Sequence, residues 1–217
     1  MNYINSKRLF VAIIVLSLGF SAVSVQGKTL KNHITSAVFR LHVVANSNSA
    51  ADQKLKLEVR NRIISETAEL FSKAKNAEDA EKIANANLDF LKGICEDEIS
   101  RRGFSQKVHP ETGEYKFPQK TYGAITLPRG RYRALKVIIG EGKGKNWWCV
   151  MFPPLCFAKG TLSVSKSSKS YLESKLSSDE YNLICSNQNF SAPEIRFKTA
   201  EVIKKLKNII AQETARH

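Results

Sequence analysis

The run Gly140–Cys156, GEGKGKNWWCVMFPPLC, constrains the fold of this 217-residue chain more than any other segment. It contains both tryptophans of the chain, Trp147 and Trp148, and two of its four cysteines. A glycine- and lysine-rich loop precedes the tryptophans, and Pro153-Pro154 follows them. Glycine permits tight turns, proline fixes φ, and aromatic rings need shaped contacts. The run therefore predicts a rigid, shaped surface.

The first half of the chain predicts a strand followed by two long helices. Residues 38–44, VFRLHVV, alternate in polarity as a half-buried strand does. Helices are predicted from Ala50 to Phe71, after the cap Ser49, and from Ala77 to Arg102, after the cap Asn76. The strand alternation assigns Phe39, Leu41 and Val43 to a core face and Arg40 and His42 to a solvent-exposed face.

The second half predicts mainly β-structure. A strand at 104–108 and a turn at 110–113 precede three strands at 121–127, 132–139 and 146–152. Short connections between the last three favour an antiparallel meander. The predicted fold class is α+β, with an antiparallel β-meander packed against two or three amphipathic helices.

The region after residue 160 changes in composition. Residues 163–178 hold eight serines among several lysines, which argues against tight packing. A final amphipathic helix is predicted from Pro193 to about Gln212, and docking on the core is favoured over lying on a membrane. We predict a single domain over residues 37–217, with a Ser/Lys-rich stretch near 161–190.

The N-terminus predicts export. Lys7-Arg8 precedes the apolar run 9–20, as in a secretory signal, so residues 1–27 are assigned as a signal peptide or a retained anchor and 28–36 as a linker. The net charge of +14 favours anionic partners: nucleic acid, lipid headgroups or a wall polymer. Export argues against nucleic acid and leaves an anionic membrane or wall.

Four cysteines allow three complete pairings. The short-range candidate is a disulfide between Cys149 and Cys156, and the alternative is that all four are small buried hydrophobic residues. Cys95 falls on the apolar face of a predicted helix, which favours a free thiol. No metal site is predicted, because no second close cysteine or histidine pair accompanies the first.

The sequence contains no convincing catalytic arrangement, and no cofactor is predicted. The loop Gly140–Lys145 lacks the order of residues in a P-loop, so it predicts either a flexible hairpin or a weak anion contact. Adjacent tryptophans on a strand point to opposite faces, which predicts one ring in the core and one on a partner-binding surface. The candidate partner-binding residues are Lys143, Lys145, Trp147 and Trp148.

Three segments carry a resemblance to a known family. They are RLHVVANSNSAADQKLKLEVR at Arg40–Arg60, the region Tyr122–Cys156 with YGAITLP and RALKVIIGEGKGKNWWCVMFPPLC, and EIRFKTAEV at Glu194–Val202. Together they resemble the stage II sporulation protein R family. The chain differs at Asn48, where the family usually carries an acidic residue; both residue types suit a turn before a helix.

The resemblance implies an exported signalling protein of endospore-forming bacteria and not an enzyme. Such a protein is made in the forespore and enters the space between the forespore and mother-cell membranes. There it activates a membrane-embedded aspartic protease, which then processes the sigma-E precursor. Two other functions remain open from the residues alone: a wall hydrolase using Glu141, His42 or Cys149, or an anionic wall- or lipid-binding module.

Overall fold

A four-stranded mixed sheet forms the centre of the fold in the computed structural model, which describes residues 31–156 and 164–186. The strands are β1 (Phe39–Val44), β2 (Val108–Phe117), β3 (Lys120–Tyr122), β4 (Ile125–Leu127), β5 (Gly130–Ile139) and β6 (Asn146–Phe152). Those of the sheet lie in the order β2-β5-β1-β6; β1 runs parallel to β5 and antiparallel to β6. The short strands β3 and β4 pair with each other in a separate hairpin.

Helices cover one face of the sheet. They are α1 (Ala50–Ser72), α2 (Ala77–Ala86), α3 (Leu88–Arg101), α4 (Lys166–Lys175) and α5 (Ser178–Cys185), and residues 31–36 are helical as well. The long helix α1 contacts β1 and β6, and its Phe71 ring lies 6.1 Å from the ring of Phe39. Helix α1 also packs against α3.

The α+β class, with an antiparallel-dominated sheet packed against helices, is confirmed, but the strand order is not that of a consecutive meander. Strand β1 lies between β5 and β6, and all six of its residues are buried. A central position satisfies the backbone groups on both edges of this fully buried strand. The predicted strand 121–127 is instead the β3–β4 hairpin, which turns at Gly123 with φ of 58°.

The second face of the sheet is covered too, which corrects the prediction that Arg40 and His42 face solvent. Arg40 is fully buried and His42 is 7% exposed. Aromatic side chains of other strands, Phe117 and Tyr132 among them, contact these two residues. Alternation in β1 identified the two faces correctly, but it did not reveal what lies above the second one.

Strand β2 corrects the predicted turn at 110–113. It pairs with β5 along its whole length, from Val108 opposite Ile139 to Phe117 opposite Gly130. Proline and glycine inside a strand suit an edge position, where one side of the backbone needs no ladder partner. Pairing with a ten-residue neighbour outweighs the local turn tendency of Pro110 and Gly113.

The helix predicted at 50–71 is confirmed, with the Ser49 side chain accepting the Asp52 N–H. The single helix predicted at 77–102 is two helices that meet at Asn87. Asn87 leaves the helical region with φ of −122° and donates its side-chain amide to the Ile83 carbonyl at 2.7 Å. A short amide side chain competes with the helical backbone in this way.

The serine-rich region folds, contrary to prediction. Helices α4 and α5 bury Leu172 and Ile184, and Ser177 with Glu180 forms a capping box. Glu180 also contacts His33 at 2.8 Å, so His33 of the predicted linker lies against α5. The serine and lysine content of residues 163–178 suggested loose packing, but serine is also a good helix cap.

The predicted signal segment 1–27 and the predicted C-terminal helix lie outside the described residues. Within residues 31–156 and 164–186, no helix has the length and hydropathy to cross a membrane.

Candidate functional site

The loop Gly140–Lys145 is fixed against the turn that follows β1. Every backbone N–H of the loop has an acceptor, and four of the six acceptors belong to the turn Ala45–Asn48. The loop therefore offers no free N–H groups to an anion, in contrast to the anion contact that was one interpretation of its glycines. In the order of the donors from Gly140 to Lys145, the acceptors are Lys107 O, the Asn46 side chain, Ile139 O, Asn46 O, Ala45 O and the Asn48 side chain.

The glycines of the loop permit this close approach. A Cβ on Gly144 would lie 2.2 Å from the Ser47 carbonyl oxygen, and one on Gly140 would lie 2.2 Å from the Asn46 side-chain oxygen. Gly140 also has a φ of 57°, which favours glycine. The glycine spacing is therefore a packing requirement of the contact with the turn.

Polar side chains at the start of α1 complete the contact. The Asp52 carboxylate accepts hydrogen bonds from Ser47 at 2.5 Å and from the Asn46 amide at 3.0 Å. The Ser47 hydrogen bond is the main cause that holds the Asp52 pKa below its ordinary value. Lys56, which is buried, donates to the Lys145 carbonyl at 2.9 Å. Helix, turn and loop thus form one hydrogen-bonded unit.

Trp147 and Trp148 lie on opposite faces of β6, opposite Val43 and His42 of β1. Both rings are half-buried, whereas the sequence predicted one ring in the core and one on the outer surface. The guanidinium carbon of Arg60 lies 4.1 Å from the centre of the Trp147 ring. Trp148 stacks on His42, with ring centres 4.0 Å apart and planes inclined by 22°.

Arg40 and His42 form a buried polar pair among aromatic rings. The Arg40 guanidinium lies 4.1 Å from the centre of the Phe117 ring and donates to the Tyr122 hydroxyl and the Cys149 carbonyl. In the described part of the chain, no carboxylate pairs with it. His42 Nε2 lies 2.7 Å from the Asn146 side-chain oxygen, and burial lowers the His42 pKa from its ordinary value of 6.5. Cation–π contacts stabilise a charge that has no counter-ion.

A disulfide joins Cys149 to Cys156, with their Cα atoms 6.1 Å apart. The Cys156 sulfur also accepts the Val150 N–H at 3.3 Å. Cys95 is a buried free thiol, and burial raises its pKa to about 12, which keeps it protonated at neutral pH. The bridge holds the Pro153-Pro154 turn against the end of β6.

A trough lies along the outer edge of β6, which has no further strand beside it among the described residues. Two cavities form it, of about 450 Å³ and about 190 Å³, and both are lined by Ile64 and Cys156. We call this pair of cavities the β6 trough. Helix α1 contributes Arg60, Ile64, Thr67, Ala68 and Phe71; β3 contributes Lys120, Thr121 and Tyr122; β6 and α4 supply most of the rest.

The structure places four of the six predicted site residues at the trough: Trp147, Trp148, Cys149 and Cys156. Lys143 does not line it; this lysine is exposed and pairs with Glu141 at 2.7 Å. Lys145 is also exposed and does not line it, and its backbone groups bind Asn48 and Lys56.

The residue pattern did not predict the contribution of α1. Arg60, Ile64 and Phe71 are spaced four and seven residues apart and form a stripe beside the core stripe of Leu55, Val59 and Ile63. The helical spacing of this second stripe is visible in the sequence. Its role depends on the edge position of β6, which the sequence pattern did not predict.

The three residues considered for a hydrolase are engaged elsewhere. Glu141 is in an exposed ion pair, His42 is buried under Trp148, and Cys149 is in the disulfide. No group of histidine, cysteine and carboxylate side chains suited to a metal ion occurs among the described residues.

Comparison with known proteins identifies the family. The family model for stage II sporulation protein R matches residues 35–161. A protein of Bacillus subtilis (strain 168) named stage II sporulation protein R is 35% identical over 124 residues. The match covers 57% of this chain and 55% of the relative, so it spans about half the length of that protein. No solved structure matches the chain. The chain therefore belongs to the stage II sporulation protein R family.

Proposed function

We propose that this sporulation protein is an exported signal that activates a membrane-embedded aspartic protease of the mother cell. The activated protease then processes the sigma-E precursor. The family membership supports the sporulation role. The observation that carries the mechanism is the β6 trough, a partly apolar surface to which the run Gly140–Cys156 contributes Trp147, Trp148 and the disulfide Cys149–Cys156.

Activation by binding requires preference for one state of the receptor. A signal shifts a receptor towards the active state only by as much as it binds that state more tightly than the inactive one. A disulfide-closed turn and a strand held in a sheet suit this task, because a preformed surface loses little conformational entropy on binding. Lys143, Lys145, Trp147 and Trp148 remain our proposed contact residues.

Localisation follows from the proposal. The basic and apolar start of the chain supports export into the space between the forespore and mother-cell membranes, with the segment either cleaved or retained as an anchor. The net charge of +14 supports an additional weak attraction to anionic lipid, which concentrates the protein beside a membrane receptor. Nucleic acid is not a partner in this proposal.

Co-expression in a non-sporulating host tests the function. The chain, the protease and the sigma-E precursor are produced together, and processing of the precursor is followed by immunoblot. We expect processing only when all three are present, and none when the catalytic aspartate of the protease is replaced. Processing that is equal without the chain would refute the proposal.

The contact residues are tested in the same assay. Lys143→Ala and Lys145→Ala change exposed side chains whose removal leaves the fold intact. Trp147→Ala and Trp148→Ala remove the rings that contact Arg60 and His42, and circular dichroism checks that each variant is folded. If all four variants process the precursor as well as the wild type does, the contact lies elsewhere.

A further inference from the structure

The two ends of the β6 trough differ in chemistry. Near Trp147 the trough is bordered by Arg60 and Lys120, whereas the larger cavity is bordered by Phe71 and Tyr171. Lys75 is the only charged residue at the larger cavity, and no aspartate or glutamate lines either cavity in the described part of the chain. An occupant that fits is therefore apolar over much of its length and negatively charged at the Arg60 end.

Arg60 has capacity for a carboxylate. Its guanidinium stacks on Trp147, and its hydrogen bonds go to the neutral side chain of Asn61, at 2.6 and 3.1 Å. No described carboxylate lies within ion-pair distance of it. The residue is 5% exposed, and burial is the main cause that lowers its pKa. A partner carboxylate would supply both a hydrogen-bond acceptor and a counter-charge.

The edge of β6 favours an occupant that is held by its side chains. The Trp148 carbonyl accepts a hydrogen bond from the Tyr122 hydroxyl at 3.1 Å, and the Val150 N–H donates to the Cys156 sulfur. These contacts occupy backbone groups that a further strand would need for a continuous ladder. Strand residues 147–152 cover about 17 Å, so an extended segment of about six residues reaches both cavities.

We propose that the β6 trough binds an extended peptide segment of the protein partner, with an acidic side chain at Arg60 and large apolar side chains in the cavity beside Phe71 and Tyr171. This inference rests on the proposed function, because the partner is the protein that the chain activates. The chain has a net charge of +14, and its residues 187–217 hold six lysines and arginines against three glutamates. Charge complementarity with Arg60 and Lys120 therefore favours an acidic partner segment over a second copy of the chain or over residues 187–217, and the test includes both as outcomes.

Ala68→Arg blocks the larger cavity with little risk to the fold. Ala68 is exposed on α1 and lines that cavity, and arginine is a good helix former. Ala86→Arg is the matched control: the same change at an exposed helical position that lines neither cavity. Arg60→Gln removes the charge and keeps a hydrogen-bonding side chain over Trp147.

A phage library of random twelve-residue peptides is the probe. The purified full-length chain is expected to enrich peptides with an acidic residue about four to six positions from a large apolar residue. By fluorescence anisotropy, a selected peptide should bind Ala68→Arg about tenfold more weakly or worse, since an apolar side chain is no longer buried. Replacing the acidic residue of the peptide by lysine should weaken its binding to the wild type and change its binding to Arg60→Gln little.

Several outcomes overturn the inference. The first is no enrichment on the wild type relative to Ala68→Arg. The second is that analytical ultracentrifugation shows a dimer for the wild type and a monomer for Ala68→Arg, and that added peptide changes neither state. The third is faster proteolysis within residues 187–217 in Ala68→Arg, with peptide binding unchanged.

The processing assay separates this inference from the proposed function. If the wild type and Ala86→Arg activate processing and Ala68→Arg does not, the proposed function and the trough inference are both supported. If Ala68→Arg activates processing fully, the trough inference fails and the signalling function stands. If the wild type does not activate processing, the proposed function fails, and the peptide selection alone decides whether the trough binds peptides.

Discussion

The loop Gly140–Lys145 and the strand Asn146–Phe152 are adjacent in sequence but use their polar groups differently. In the loop, every backbone N–H is bonded within the protein, and the glycines allow the chain to lie against the turn Ala45–Asn48. In the strand, one edge pairs with β1 and the other borders the β6 trough. The loop holds the framework together, and the strand presents side chains to a partner.

Two of the three segments that resemble the family are in direct contact in the structure. The segment Arg40–Arg60 supplies β1, the turn and the start of α1, and the segment Tyr122–Cys156 supplies the loop and β6. Hydrogen bonds of Asn46 and Asn48 to the loop join the two segments directly. A compositional pattern that suggested a binding loop is, in the structure, an internal contact.

The largest effect is expected from Gly144→Ala, which tests whether the loop is framework. Its Cβ would lie 2.2 Å from the Ser47 backbone oxygen, so the loop must shift away from the turn. We expect a loss of about 3 kcal/mol in unfolding free energy, measured by urea titration. Gly93→Ala on α3 is the control: its Cβ meets nothing within 4 Å, and a gain of about 0.5–1 kcal/mol is expected. Equal behaviour of the two variants would contradict a tight contact.

Loss of the disulfide is expected to affect the strand and its following turn. Cys149→Ser with Cys156→Ser should cost about 2 kcal/mol of unfolding free energy, because a short closed loop gains freedom in the unfolded chain. Cys185→Ser, at a half-buried free thiol, serves as the control and should change little. Equal urea midpoints for the double variant and the wild type would show that the bridge contributes nothing to stability.

A pair of asparagine substitutions sharpens the role of the turn. Asn46→Asp places a second carboxylate beside Asp52 and removes an amide donor, so we expect a loss of about 1–2 kcal/mol. Asn48→Asp introduces the acidic residue that the resemblance predicts at this position and still accepts the Lys145 N–H, so its effect should be within about 0.5 kcal/mol. Similar losses in both variants would contradict the assigned hydrogen bonds. Thermal denaturation monitored by circular dichroism measures the stability of each variant.

The smallest effect is the pH dependence that His42 introduces. Burial lowers the pKa of His42 in the folded protein, so the unfolded chain binds its proton near pH 6.5 while the folded chain does so only at lower pH. The unfolding free energy should therefore be constant with respect to this residue above pH 6.5 and fall as the pH drops below it. His42→Gln should flatten the curve between pH 7 and 5, whereas the control His109→Gln, at an exposed histidine, should retain the slope. If the unfolding free energy falls equally steeply with pH in all three proteins, another group takes up the proton.

The residue pattern predicted the elements with strong local signals. Helix α1 begins after Ser49 as expected, and β1 forms at Phe39–Val44, within the predicted strand 38–44. The pattern failed where local and tertiary preferences conflict. Pro110 and Gly113 suggested a turn, but pairing with β5 extends the strand through them. The serines after residue 163 suggested loose structure, but two of them cap helices.

The sequence by itself determined the fold class, the family and the central importance of the run Gly140–Cys156, because these depend on residue types and their spacing. Only the tertiary structure decided that β1 lies between β5 and β6, that Arg40 is buried among aromatic rings, and that Arg60 of α1 lies over Trp147. These features depend on contacts between residues far apart in the chain. Local periodicity specifies which face of an element is apolar, but not which element covers it.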